Sequence, residues 1–531
     1  MHDLIHELLL RSAEKLPHNE VLSYQGKCLN YGEAASQVLS CAAAYGRAGL
    51  GRSERVAVYL EKRPEAVVAM FGAAAAGGVF VPVNPLLKPE QIAYILRDCN
   101  VRILVTSRER LQLLAPALSD CPDLHTVMVI GAAGAAYESQ LPVIDWNDAL
   151  SGAGPAQQHR VIDTDMAAIL YTSGSTGKPK GVVLSHRNMV AGARSVAQYL
   201  ENRPEDRILS ALPLSFDAGF SQLTTAFHVG ARVTLINYLL PRDVLDAVVK
   251  ERITGLTAVP PLWIQLAQLK WPATVAEHLR YIANTGGHMP KATLDRLRAA
   301  LPGTLPYLMY GLTESFRSTY LPPAEVDRRP DSIGKAIPNA EVLVVREDGT
   351  PCVPGEPGEL VHRGALVSLG YWNDPEKTAE RFKPAPGQPS GLTMPEMAVW
   401  SGDTVRRDDE GFLYFISRRD EMIKTSGYRV SPTEVEEVIY ATKLAAEAAA
   451  LGIAHPVLGQ AIVVLATALD GADLDTAELL AQCRHRLPAY MVPARVIERK
   501  GSLPRNPNGK IDRKQLAQEL QGLFADAQKQ G

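Results

Sequence analysis

Tyr171-Thr172-Ser173-Gly174-Ser175-Thr176-Gly177-Lys178-Pro179-Lys180-Gly181 is the stretch from which this chain is best read. It follows an apolar run, residues 166–170, with the pattern of a buried strand. Three glycines and four hydroxyl side chains then share one short loop. Glycine lets backbone come close to a ligand. Exposed N–H groups, hydroxyls and an ammonium together suit a polyphosphate. The loop is not the phosphate loop of mononucleotide-fold NTPases, which needs four residues between its glycines and a helix after its lysine. Here two residues separate Gly174 from Gly177, Pro179 follows Lys178, and a second apolar run, 182–184, comes at once. The expectation is a strand-loop-strand hairpin closing over phosphates.

Outward from the loop, a chain of 531 residues predicts more than one domain. Fifty-five basic against 58 acidic residues leave a net charge of −3, so nothing argues for nucleic acid or an anionic membrane surface. The start of the chain carries Asp3 and no cationic segment, so no signal peptide is expected. The longest uncharged stretch, 66–87, contains Pro82 and Pro85 and reads as a buried helix followed by a strand rather than a membrane span. Six cysteines lack C-x-x-C spacing, which fits reduced thiols in a cytoplasmic protein.

Helical patterns (4–13, 31–50, 64–76) alternate with short strands (56–60, 103–106, 126–130), the mark of an α/β sheet with covering helices. Ser185 reads as the cap of a helix over 186–200. Within Leu212-Pro213-Leu214-Ser215-Phe216-Asp217-Ala218-Gly219-Phe220, Asp217 sits among apolar residues and is either a local cap or faces a ligand. Strands are predicted at 229–236 and 255–259. Two glycine turns follow apolar runs: Asn284-Thr285-Gly286-Gly287-His288 and Tyr310-Gly311-Leu312-Thr313-Glu314. Ligand loops stand at such strand ends. Residues 334–360 predict a small β subdomain, and 415–424 a charged connector. Beyond it, a helix is expected over 433–442, a helix over the alanine run 445–450, and a strand over 460–468. Asn508-Gly509 is a tight-turn signal that presents Lys510 at a tip.

Taken together, these motifs resemble, in order, those of the AMP-forming adenylating enzymes: acyl-CoA synthetases, adenylation domains of peptide synthetases, and luciferases. The resemblance runs from Thr172 to Lys510 and so covers nearly the whole chain. It implies a large N-terminal α/β domain with a small β subdomain, residues 1–419, and a mobile α+β C-terminal domain, residues 420–531. It implies an acid–thiol ligase using ATP and Mg2+. A carboxylate becomes an acyl-adenylate with release of pyrophosphate, and a thiol of coenzyme A or of phosphopantetheine then takes the acyl group. Thr172, Ser173, Gly174, Ser175, Thr176, Gly177 and Lys178 would hold phosphates. Gly287, His288, Tyr310 and Gly311 would border the adenine, Thr313 the α-phosphate, and Glu314 the magnesium. Asp403 and Arg418 would take the ribose side, with Asp420 as hinge and Ser426 and Gly427 near the thiol acceptor. The family usually has glycine where Ser417 stands. Lys510 would bridge carboxylate and phosphate during adenylation.

The same resemblance places Phe216, Asp217, Ser221, Ala258, Thr285, Met309, Arg317 and Ser318 around the carboxylate substrate. Many acyl-CoA synthetases have a histidine where this chain has Phe216-Asp217, a pair that resembles the amino-acid-activating branch. Asp217 could pair with a substrate ammonium, and Arg317 with a second polar or acidic group. A stand-alone amino-acid enzyme loading a separate carrier protein is therefore the alternative to an acyl-CoA ligase. The chain stops shortly after Lys510, so no fused carrier domain is expected.

Overall fold

Parallel strands buried on both faces read as continuous apolar runs, and the chain forms two such sheets before residue 311. The computed structural model describes residues 3–131, 141–152, 159–172, 179–389, 391–418, 422–425, 428–455, 458–469, 472–487, 489–507 and 509–524. The first sheet has the strand order Val143–Asp145, Thr126–Ile130, Val101–Ser107, Arg55–Tyr59, Val79–Pro82, Met166–Thr172, Lys180–Ser185. Its pairs are parallel except the last. Met166–Thr172 and Lys180–Ser185 run antiparallel, with Thr172 opposite Lys180, so the predicted hairpin strands are present. Ser185 caps the helix His186–Tyr199: its side chain accepts from the Asn188 N–H, and Asn188 reaches back to the Ser185 N–H.

The second sheet is the larger. Arg207–Ser210, Arg232–Leu235, Gly255–Ala258, Tyr281–Asn284 and Leu305–Tyr310 are its parallel centre. Residue 229, read as strand, instead ends the helix Asp217–Val229, and Gly230 in a left-handed turn separates helix from strand. The β subdomain is present, with Ala340–Val345, Gly358–Gly364, Met397–Arg407 and Leu413–Arg418 antiparallel to one another. It is continuous with the central strands through Ser332–Ala336 and Thr319–Leu321. Ser417 lies in the strand Leu413–Arg418, opposite Thr404.

The smaller C-terminal part carries its own sheet, with Tyr428–Val430, Ile423–Thr425, Gly459–Ala468 and Ala445–His455 in order. Helices Pro432–Thr442, Thr476–Arg486 and Arg513–Glu519 accompany it. One expectation fails here: the alanine run 445–450 is strand. Lys443 takes a left-handed φ of +59 and ends the preceding helix. Residues 445–455 then pair with 459–468 along nearly their whole length. Alanine prefers helix locally, but cross-strand pairing and burial on both faces outweigh that preference. Glu447, buried in this strand, is held by Arg505 and by the Leu503 N–H at 2.7 Å.

Candidate active site

The loops that leave the parallel strands Tyr281–Asn284 and Leu305–Tyr310 at their C-terminal ends build the site, as open α/β sheets dictate. Tyr310 closes the second strand. Its hydroxyl donates to Asp403 Oδ2 at 2.5 Å, and Arg418 Nε stands 3.2 Å from Asp403 Oδ1. Asp403 is buried, and its own N–H donates to Ser401 Oγ at 3.0 Å. Burial and the neighbouring Asp403 push the Tyr310 phenol well above its usual range. Three residues from separate motifs thus meet at one carboxylate.

Glu314 follows in the short turn Thr313–Ser315. Tyr371 donates to Glu314 Oε1 at 2.6 Å, and the Lys180 ammonium stands over the Tyr371 ring, 5.3 Å from its centroid. Lys180 opens the strand after the phosphate loop, so Glu314 and that loop's far end share one neighbourhood. Thr172, at the near end, keeps its hydroxyl 3.5 Å from the Lys180 carbonyl. Ser173, Gly174, Ser175, Thr176, Gly177 and Lys178 lie outside the described residues, as do Asp420, Ser426 and Gly427. The boundary read at 419/420 falls outside them too.

Lys510 is carried to this site by its turn. Asn506 N–H donates to the Lys510 carbonyl at 2.8 Å, and Lys510 N–H to Asn506 Oδ1 at 3.1 Å. Asn84 Nδ2 fastens the turn by donating to the Pro507 carbonyl at 2.8 Å. Gly286, with φ +77, faces the lysine: a Cβ there would stand 3.4 Å from Lys510 Cε and 3.7 Å from Phe216 Cζ. Only a residue without a side chain leaves the backbone this open at a positive φ. The adjoining Gly287 carbonyl accepts from Asn284 Nδ2 at 2.8 Å. His288 turns toward the C-terminal part, its Nε2 2.5 Å from Glu437 Oε1.

Asp217 starts the helix Asp217–Val229, and its Oδ2 accepts from Arg317 Nη1 at 2.9 Å. The two residues expected to meet separate substrate groups therefore meet each other. Both are almost fully buried, with side-chain exposures of 6% and 3%. Phe316, just before Arg317, has φ +54, a costly setting for an aromatic residue. Its ring is seated against Gly192, where a Cβ would come within 2.4 Å. Ser221, Met309 and Arg317 line a cavity of about 20 Å³ under the helix. Thr285 is buried but does not line this cavity; its N–H donates to the Ala258 carbonyl at 3.1 Å. Ser318 is buried in a different cluster, within hydrogen-bond distance of Ser315 at 2.9 Å and His362 at 3.1 Å.

The family model described as AMP-binding enzyme matches residues 9–372, and that of the AMP-binding enzyme C-terminal domain matches 434–510. The chain belongs to the AMP-binding enzyme family. It is 30% identical to an L-proline–[L-prolyl-carrier protein] ligase of Pseudomonas fluorescens, covering 98% of this chain and 100% of that one. It is 32% identical to tyrocidine synthase 2 of Brevibacillus parabrevis, but spans only 13% of that protein's length. Among solved structures, O-succinylbenzoate coenzyme A synthetase of Bacillus subtilis, in complex with ATP and magnesium, superposes with a TM-score of 0.80. That likeness has 26% identity and covers 96% of this chain and 99% of that one.

Within this AMP-binding enzyme, several neighbours of the site are not singled out by sequence reasoning. Tyr371 gives no signal, since it reaches Glu314 from 57 residues away. Gln222 and Thr225 do leave a trace: they are amide and hydroxyl residues in a helix whose residues 217–227 are all buried. Polar side chains on every face of a buried helix need partners.

Proposed function

We propose that the chain is an ATP-dependent, AMP-forming acid–thiol ligase. A carboxylate oxygen attacks the α-phosphorus of ATP, the α–β anhydride bond breaks, and pyrophosphate leaves. A thiol sulfur then attacks the acyl carbon and AMP leaves with the bonding pair. Charge gathers on the phosphoryl oxygens in the first transition state, so positioned cations are the main catalytic resource. Lys510 is the cation that meets the carboxylate and the α-phosphate. The observation that carries this reading is the docking of its turn, with Lys510 Cε beside Gly286 and Phe216.

Thr313 and the phosphate loop take the phosphates in this reading, while Asp403 and Arg418 take the ribose side and Tyr310 borders the adenine. A magnesium ion fits beside Glu314, which offers a hard carboxylate oxygen. Among the described residues no three His, Cys, Asp or Glu side chains form a metal site, so phosphate oxygens would complete the shell. When bound, the ion supplies charge neutralisation on the phosphates. Asp420 is the hinge and Ser426 and Gly427 approach the thiol after the C-terminal domain rotates.

The thiol belongs to coenzyme A or to the phosphopantetheine of a carrier protein. A second reading, an amino acid loaded onto a separate carrier, draws support from Asp217. Its Oδ1 is buried without a hydrogen-bond partner and could accept from an ammonium. The full-length likeness to the prolyl-carrier protein ligase supports the same reading. No described helix is long and apolar enough to cross a membrane. The free cysteines suit a reducing compartment, and we place the enzyme in the cytoplasm. ATP–pyrophosphate exchange screened across fatty, aromatic and amino acids tests the proposal. Exchange with at least one class supports it, and exchange with none removes it.

A further inference from the structure

The cavity under the helix Asp217–Val229 holds a concentration of buried polar atoms that the protein itself leaves without partners. Ser221 Oγ, Gln222 Oε1, Thr225 Oγ1 and Arg317 Nε are all in this state, and all four residues line the cavity. Their residue exposures are 2%, 5%, 4% and 3%. Most buried polar atoms in folded proteins are paired, so four around one small cavity point to an occupant that pairs them.

The cavity also has a place on the reaction path. Lys510 and Phe216 both approach Gly286. Asp217 follows Phe216 in the chain and holds Arg317 at 2.9 Å, and Arg317 lines the cavity. These contacts lead from Lys510, by Gly286 and Phe216-Asp217, to Arg317 in the cavity wall.

We infer that the far end of the substrate is a compact, uncharged group that both donates and accepts hydrogen bonds: a hydroxyl or a carboxamide on a short chain. The inference rests on the ligase reading above and names the substrate class for that same site. Gln222 fixes the polarity. Its Nε2 donates to the Leu209 carbonyl at 2.8 Å, so its oxygen is left as an acceptor. Arg317 Nε offers a donor, and the hydroxyls of Ser221 and Thr225 serve either way. An occupant matching all four must therefore carry both a donor and an acceptor.

Charge fixes the rest. Arg317 is the charged residue lining the cavity, and Asp217 already offsets it. A carboxylate end would add an uncompensated buried charge, which is strongly unfavourable. A methyl end would leave the four polar atoms unpaired. The volume, about 20 Å³, has room for little more than one water-sized group and so favours a compact end. Of the polar or acidic partner that the resemblance allows for Arg317, this selects the polar one. The strained Phe316 backbone delivers the guanidinium to Asp217.

The test uses unreactive acyl-adenylate mimics, the adenosine acyl-sulfamates of 4-hydroxybutyric, succinamic, pentanoic and succinic acids. Their dissociation constants are measured by calorimetry on the full chain. The hydroxyl- and amide-ended mimics are expected to bind at least about ten-fold tighter than the methyl- and carboxylate-ended ones. Thr225→Val and Ser221→Ala should each shrink that preference, with AMP binding reporting that the variants are folded. Equal or tighter binding of the methyl- or carboxylate-ended mimic overturns the inference. So does a ranking that neither variant changes, or failure of every mimic to bind. The ligase reading fails separately: the mimics would bind in the expected order while the free acids never release AMP from ATP.

Discussion

His288 Nε2 stands 2.5 Å from Glu437 Oε1 and joins the glycine turn of the site to the C-terminal helix Pro432–Thr442. Burial alone would lower the His288 pKa. The hydrogen bond and charge of Glu437, with Asp331 and Glu436 adding to it, raise it above the usual 6.5. Glu436 is itself held by Arg513 at 2.5 Å. A raised value means that protonated His288 favours the docked arrangement. This contribution is complete below about pH 6.5 and is lost as pH rises through the raised value. Each partner is 29% exposed, so the effect is modest, about 1 kcal/mol or less. Adenylate formation should slow a few-fold as pH rises past this window. Glu437→Gln should flatten that part of the profile. An unchanged slope in the variant would show that the contact does not govern docking.

Asp217 and Arg317 are a buried pair, and removing one partner strands the other. Asp217→Ala should cost about 3–5 kcal/mol of stability. Asp217→Leu combined with Arg317→Met should recover most of it, because an apolar pair of similar volume replaces the ions. Urea denaturation of the natural protein and the two variants is the measurement. A single-variant loss below about 1 kcal/mol would mean the pair is solvated.

Asp403 is held by Tyr310 and Arg418, and in the proposed reading it accepts from ribose hydroxyls. Hydrogen bonds to a charged acceptor contribute about 1.5–3 kcal/mol. The KM for 2′,3′-dideoxy-ATP should therefore exceed that for ATP by about ten-fold or more in the natural enzyme. Asp403→Ala should raise the KM for ATP and remove most of the discrimination. Retained discrimination in the variant would move the ribose contact elsewhere.

Lys510 should serve one half-reaction only. Losing one charge from a transition state costs about 10²–10³ in rate. Lys510→Ala should lose pyrophosphate exchange by that factor, yet still transfer the acyl group from a supplied acyl-adenylate to a thiol. Equal loss of both half-reactions would contradict the role.

Much of this site is legible in the chain because local chemistry dictates it. The positive-φ turn at Gly286 and the cap at Ser185 each follow from backbone needs that few residues meet, while Asn508 lies outside the described residues. Pairings across long separations are not legible. Nothing near Asp217 announces Arg317, 100 residues later, and nothing near Glu314 announces Tyr371. The alanine run 445–450 misleads for a related reason. Its helix preference is local, whereas the strand it forms depends on residues 459–468. His288 faces Glu437 because the C-terminal part docks there, which no pattern around His288 encodes.

The most direct measurement is the nucleotide product formed from ATP labelled on its α-phosphate, with Mg2+, a thiol acceptor and a panel of carboxylic acids. The account predicts AMP, formed only when an acid is present and in equal amount to pyrophosphate. Formation of ADP, or AMP release that does not depend on any acid, would contradict it.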